Sequence, residues 1–196
     1  MRILYLFSIF CLSISLSANS PVLNKDSITH PEVGLEGMVV TQHYLASEVG
    51  EEILNKGGNA YDATIAVAFA LAVVLPRAGN IGGGGFTVLY NSSDESFQSL
   101  DYREKAPLAA SKNMYLDKNG DVISNLSTLG YKAIAVPGTV DGMWELHKKY
   151  GSMDWKELIV PSIKLAKEGF KVSPLMADTL NRNYKSLSKF SETKKI

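Results

Sequence analysis

Two stretches of this chain have the residue types and spacing from which chemistry could be built. The first is residues 100–107, LDYREKAP, with Arg103 between acids. An arginine at the end of a strand offers a planar fork of donors that meets a carboxylate through two parallel charge-assisted bonds. On an alternating strand, Asp101 and Arg103 share one face and Leu100 and Tyr102 the other. The spacing leaves two roles open: Arg103 grips a substrate carboxylate, or it pairs with Asp101 or Glu104 as structure. The second stretch is residues 79–86, GNIGGGGF. A phosphate cradle runs strand, glycines, helix, because the phosphate rests on amides at a helix N-terminus. Here an apolar helical segment precedes the glycines and a strand pattern, FTVLY, follows them, with no Lys-Ser/Thr. The phosphate reading fails. Gly82 to Gly85 are instead expected to take positive φ and pass closely beneath a helix or against a partner segment.

Other chemistries find less support. No G-x-S-x-G elbow occurs, and carboxylate pairs such as Asp101 and Glu104 have no distinguishing spacing. His30, His43 and His147 are too scattered for a zinc site, and Cys11 is the single cysteine. No metal and no cofactor is expected. Twenty basic side chains balance twenty acidic ones, which gives no electrostatic reason to expect nucleic acid or an anionic membrane as partner.

Residues 1–20, MRILYLFSIFCLSISLSANS, differ from the rest. One early cation, an apolar run from Ile3 to Leu16 and then small polar residues form the layout of a secretory signal peptide. The run is shorter than the roughly 20 residues that span a bilayer, and Cys11 lacks a lipobox. Cleavage is expected between Ser17 and Ser20, leaving residues 21–196 as the mature portion, periplasmic or secreted, with no stable membrane span. It would carry 19 basic and 20 acidic side chains and no cysteine, since the leader holds Arg2, Cys11 and no acid. Asn91-Ser92-Ser93 and Asn125-Leu126-Ser127 match glycosylation sequons, relevant only in a eukaryotic secretory pathway.

The elements that must position Arg103 follow from periodicity. Residues 21–36 form a polar lead-in, and Gly37–Thr41 reads as a short strand. Ala46–Lys56 has apolar spacing of a helix, closed by Gly57 as its left-handed cap. Asn59 reads as the N-cap of a second helix, with Asp62 near its unpaired amides as a cap residue rather than a catalytic acid. From Ala63 to Leu75 this helix is almost wholly apolar, so it belongs in a core. Phe86–Tyr90 and Phe97–Arg103 read as a hairpin around a polar turn at residues 91–96. Residues 105–130 are loop-rich, and Tyr131–Val136 reads as another short strand. Pro137-Gly138-Thr139 opens a helix to Tyr150. Trp155–Glu168 is amphipathic, and Pro161 predicts a kink or two shorter helices. A last helical stretch starts near Pro174.

Read together, LASEVG at 45–50, EILNKGGNAYDA at 52–63, NIGGGGF at 80–86 and LDYREKAP at 100–107 resemble the gamma-glutamyltransferase family, specifically the N-terminal part of its large subunit. MYLD at 114–117, VPGTV at 136–140, Tyr150-Gly151 and PSIKLAKEGF at 161–170 agree in order, so the resemblance covers roughly residues 36–180. It implies an α+β fold, the αββα sandwich of Ntn-hydrolases, of which this chain is an incomplete N-terminal part. The precursor, a zymogen, cuts itself into two subunits. The new N-terminal threonine of the small subunit is the nucleophile, with its own α-amine as base. It takes the gamma-glutamyl group from glutathione or other gamma-glutamyl compounds as an acyl-enzyme and passes it to water or an amino acid. The arginine of the family's Asp-x-Arg-Glu segment holds the glutamyl α-carboxylate; that position is Arg103.

The family's Thr-Thr-His-type processing site has no counterpart among these 196 residues, and Thr29-His30 is a coincidental pair. The catalytic threonine, the oxyanion donors and the groups that hold the glutamyl amine are therefore expected outside this chain. By itself the chain is expected to be inactive, poorly folded and prone to association along the uncovered helix from Ala63 to Leu75. On this reading the glycine run is scaffold near the sheet. Two other readings stand: a beta-lactam side-chain acylase of the same fold, and a short non-catalytic periplasmic module that retains the binding arginine.

Overall fold

The computed structural model describes residues 33–195. Contacts divide the chain into two units, residues 1–38 and 39–196. Of the first, residues 33–38 are described and form no helix or strand. The leader lies outside the described residues, and no described helix is long and apolar enough to cross a membrane.

In the second unit the order is α1 (Tyr44–Asn55), α2 (Ala60–Val74), β1 (Phe86–Asn91), β2 (Ser96–Asp101), a 3-10 turn (Tyr131–Ala133), α3 (Thr139–Tyr150), α4 (Trp155–Glu168), α5 (Pro174–Leu187) and α6 (Ser191–Lys194). Helix α2 is the hub, packing on α1, α3 and α4. Its small buried residues, Ala63, Ala66 and Ala70, recur at helical spacing and let three neighbours approach. Ile65 and Val74 of α2 join Ile53 of α1, Met143 and Leu146 of α3 and Leu158 of α4 in the core. Gly57 takes φ +89 just past α1, as its cap position requires.

The start of α2 carries the core's buried charge. Asn59 Oδ1 accepts from the amides of Tyr61 and Asp62, and an Asp62 oxygen accepts from the Asn59 amide, a reciprocal capping box. Asp62 is fully buried. It also accepts from the Ser152 hydroxyl at 2.5 Å and from the Ser152 amide at 3.1 Å. Asn59 Nδ2 donates to the Tyr150 carbonyl at 2.8 Å. One helix cap thus ties α2 to the α3–α4 connection 90 residues away. Burial pushes the Asp62 carboxyl up, but the bonds from Ser152, Asn59 and Met153 outweigh it and hold the group below the ordinary aspartate range.

β1 and β2 pair antiparallel from Phe86↔Asp101 to Asn91↔Ser96. Leu89 and Leu100 face inward against the core, and β2 touches α3. The outward residues Phe86, Val88, Tyr90 and Phe97 are exposed. The most exposed apolar side chains here are thus on the hairpin, while α2 is covered in part. Phe69, Leu71 and Val73 of α2 are partly buried against the core.

Three local expectations are corrected. Residues 37–41 form no strand; Met38 and Val40 are exposed with no strand pairing to hold them. Tyr131–Val136 is a 3-10 turn followed by a single bridge from Val136 to Lys105. Extended sequence alone does not make a strand where no edge offers a ladder. Pro161 does not divide α4, which runs as one helix. Proline is buried there, and the carbonyl to which it offers no amide belongs to Glu157, an exposed residue. The two strands β1 and β2 form the one sheet among the described residues, fewer than the four short strands the sequence patterns indicate.

Asp62→Ala is expected to lower the stability of the full-length precursor by roughly 2–4 kcal/mol in urea unfolding, from a lost cap and buried donors left unpaired. Asp62→Asn keeps the shape and removes the charge. Because the folded carboxyl titrates below its unfolded value, its stabilisation is complete above the ordinary aspartate range and is lost as pH falls through the folded value. The stability gap between wild type and Asp62→Asn should narrow on acidification; a gap that does not change with pH would exclude the charge as its cause.

Candidate active site around Arg103

Strand β2 ends at Asp101, whose Oδ1 accepts from the Arg103 amide at 3.0 Å and turns the chain. Tyr102 donates to the Gly85 carbonyl at 3.0 Å, so the glycine run lies directly beside the arginine segment. Lys105 and Val136 exchange backbone bonds of 3.1 and 2.8 Å on the other side. The Gly83 carbonyl accepts from the amides of Gly138 and Thr139 at 2.8 and 3.0 Å. Helix α3 has no side-chain cap, and this carbonyl satisfies donors that its first turn would otherwise leave bare.

None of Gly82 to Gly85 adopts a left-handed φ, so that part of the expectation is corrected. The close approach is present. A Cβ on Gly84 would stand 2.7 Å from the Glu104 nitrogen and 2.9 Å from the Arg103 carbonyl carbon. Glycine is needed here for space, not for conformation. The run is scaffold beneath the arginine.

Arg103 projects from this junction with its side chain 56% exposed. Its Nη1 lies 3.1 Å from Oε2 of Glu104, whose side chain is 24% exposed. That oxygen is buried and makes no aligned hydrogen bond, so the contact is an ion pair by distance only. The guanidinium carbon stands 5.9 Å from the centre of the Phe86 ring, within cation–π reach. The structural pairing with Glu104 thus exists, yet it occupies one edge of a fork with five donors. Asp101 serves the backbone of Arg103 rather than its side chain.

The described histidines serve the fold. His43 Nδ1 caps α1 by accepting from Leu45 at 3.3 Å. His147 contacts the Met153 carbonyl through Nε2 at 2.9 Å and stacks on Trp144. His30 and Cys11 lie outside the described residues.

A family model described as gamma-glutamyltranspeptidase matches residues 46–196. The chain belongs to the gamma-glutamyltranspeptidase family. The glutathione hydrolase proenzyme of Pseudomonas sp. (strain A14) is 49% identical over 184 residues, which are 93% of this chain and 32% of that protein. The crystal structure of Helicobacter pylori gamma-glutamyltranspeptidase superposes with a TM-score of 0.81 at 49% identity, covering 85% of this chain and 47% of that one. A cephalosporin acylase from Bacillus halodurans superposes at 0.66 with 27% identity, covering 85% of this chain and 32% of that one. The chain spans about a third of the length of the curated relative. The gamma-glutamyltranspeptidase likeness and the mixed helix and sheet content agree with the α+β class read from the sequence.

The sequence patterns single out Arg103 but not Phe86 beside its guanidinium or Gly142 against the ring of the adjoining Tyr102. A signal for Gly142 existed: a glycine inside a helix costs up to about 1 kcal/mol relative to alanine and points to close packing. Nothing in the sequence says what packs there.

The packing account of the glycine run separates two substitutions. Gly84→Ala should destabilise the full-length precursor by about 1–3 kcal/mol through overpacking. Gly82→Ala, whose Cβ would meet only Asn80 Oδ1 at 3.6 Å, should stay within about 0.5 kcal/mol. Thermal unfolding of the two variants checks this; equal effects would show that the run is not held by backbone contact.

Proposed function

We propose that the full-length protein is a glutathione hydrolase and gamma-glutamyltransferase in which this chain supplies Arg103 to hold the substrate's α-carboxylate. The observation that carries the reading is the half-exposed guanidinium of Arg103, fixed at the end of β2 by paired backbone and engaged on one edge only. Support comes from relatives named as glutathione hydrolase proenzymes. In the reaction, a threonine hydroxyl outside this chain attacks the gamma-carbonyl carbon of the substrate. The hydroxyl proton passes through the threonine's own α-amine to the departing amine as the amide C–N bond breaks. Water or an amino acid then takes the acyl group and restores the hydroxyl. The role of Arg103 is to fix the glutamyl group so that its gamma-carbonyl meets that hydroxyl. The small subunit that carries the threonine is the partner of this chain, made from the same precursor.

A charge-assisted bond to a carboxylate contributes roughly 1.5–3 kcal/mol. Arg103→Ala in the full-length protein should therefore lower kcat/KM by about one to two orders of magnitude for gamma-glutamyl substrates bearing the α-carboxylate. Arg103→Lys should fall between, since a point charge does not reproduce the fork. Self-cleavage should persist in both. Substrates lacking the α-carboxylate should lose little. If Arg103→Ala stays within about threefold of wild type on the carboxylate substrate while processing is normal, Arg103 is not the anchor.

The likeness to the cephalosporin acylase favours one second reading, deacylation of a beta-lactam side chain. A glutaryl side chain also carries a carboxylate, so Arg103 suits both. Turnover of a glutaryl beta-lactam above that of gamma-glutamyl anilide by the full-length enzyme would select the acylase.

Export to the periplasm or the medium belongs to the same proposal and rests on the order of residues 1–20. Mass spectrometry of exported protein should find an N-terminus between Ala18 and Pro21. An intact Met1 on exported material would refute it.

A further inference from the structure

We propose that Tyr102 is a positioning residue for Arg103, seated among glycines that set the direction of the guanidinium; the proposal rests on the carboxylate-anchor reading above. The ring of Tyr102 is bounded on two sides by residues without side chains. A Cβ on Gly142, in α3, would stand 2.8 Å from its Cδ1, and one on Gly85 would stand 3.1 Å from its Cε2. Its hydroxyl receives a bond from Thr87 Oγ1 at 3.3 Å. The main chain of the same residue is bounded as well. Its amide donates to Gly85, and a Cβ on Gly138 would lie 2.9 Å from its carbonyl carbon.

Consecutive Cα atoms stand about 3.8 Å apart, so the peptide plane between residues 102 and 103 sets where the Arg103 side chain departs. With the ring and backbone of Tyr102 both enclosed, that plane has little room to turn. Arg103 itself is half-exposed, and among the described residues Glu104 is its ion-pair partner and Phe86 its cation–π neighbour. The residue before it therefore sets where its side chain leaves the backbone, while Glu104 and Phe86 flank the guanidinium. Gly142 gives this contact its cost: a glycine within a helix is tolerated where another side chain must approach the helix backbone. A misplacement of about 1 Å in a substrate-holding group is enough to cost on the order of a hundredfold in rate.

The test uses the full-length, self-cleaving enzyme and two substrates, one with and one without the α-carboxylate. Gly142→Ala should raise KM for the carboxylate substrate about tenfold or more, leave the other substrate within about threefold, and preserve self-cleavage. Tyr102→Leu should show the same selective rise, and Tyr102→Phe, which keeps the ring, should reverse most of it. Because Gly142 acts through Arg103, the Gly142→Ala change should add nothing to kcat/KM in an Arg103→Ala background. Equal losses on both substrates, or additive losses in the double variant, would overturn the proposal. So would failure of both Gly142→Ala and Tyr102→Leu to mature, since the residues would then serve folding and not aim. If Arg103→Ala discriminates between the substrates and Gly142→Ala does not, the anchor stands and the positioning role falls. If Arg103→Ala does not discriminate, the anchor falls and this proposal with it.

Discussion

Backbone contact at Tyr102 is the constraint on which the candidate site depends. Three segments far apart in sequence meet there: the glycine run, the end of β2 and the first turns of α3. Each brings a main chain closer than a Cβ permits. Elsewhere the hairpin joins the helices through inward side chains, with Leu89 and Leu100 against the core and Gln98 accepting from Lys149 and Tyr150 of α3. The Gly83 carbonyl, shared by two amides at the start of α3, adds a backbone hydrogen-bonded joint. A hydrogen bond of this kind contributes about 1 kcal/mol net, and a partly buried helix donor left unmet costs at least as much. The joint is therefore held in good part by the penalty for opening it.

A second joint of the same logic lies at the opposite end of α3. Asp62 is a buried anion with no cation paired to it among the described residues, which would ordinarily be unfavourable. Its oxygens are surrounded by amides and a hydroxyl, all donors, and the positive end of α2 lies beside them. Solvation lost to burial is replaced by fixed dipoles. α3 is thus tied at its start to the glycine run and just past its end to α2, which gives the helix under Arg103 two fixed ends.

The sequence disclosed whatever depends on near neighbours. Asn59 and Asp62 are three apart, Gly57 directly follows its helix, and the hairpin register follows from alternation and a short polar turn. It misled where a local pattern needed a distant partner. Residues 37–41 and 131–136 have strand-like composition, but no ladder forms along them apart from the single bridge at Val136. Of the kink or division that Pro161 led one to expect, the division does not occur, and Pro161 is a buried packing residue inside one helix. The glycine run was legible as a place of close approach and illegible as to its partner. Positive φ and lack of space both call for glycine, and composition does not separate them.

On the proposed function Arg103 would serve as carboxylate anchor while keeping its contact with Glu104, and the energies allow both. The contact with Glu104 lacks the hydrogen-bond alignment that makes a charge pair strong, and its guanidinium side is half-exposed although the Glu104 oxygen is buried. An incoming carboxylate that meets the fork edge-on gains two parallel charge-assisted bonds, each worth more than that pairing. Glu104 therefore does not compete as a stronger ligand. It orients one edge of the guanidinium while Phe86 stands beside it, which reduces the rotamer entropy to be lost when a ligand arrives. The structural partner weakens binding little and prepares the geometry for it.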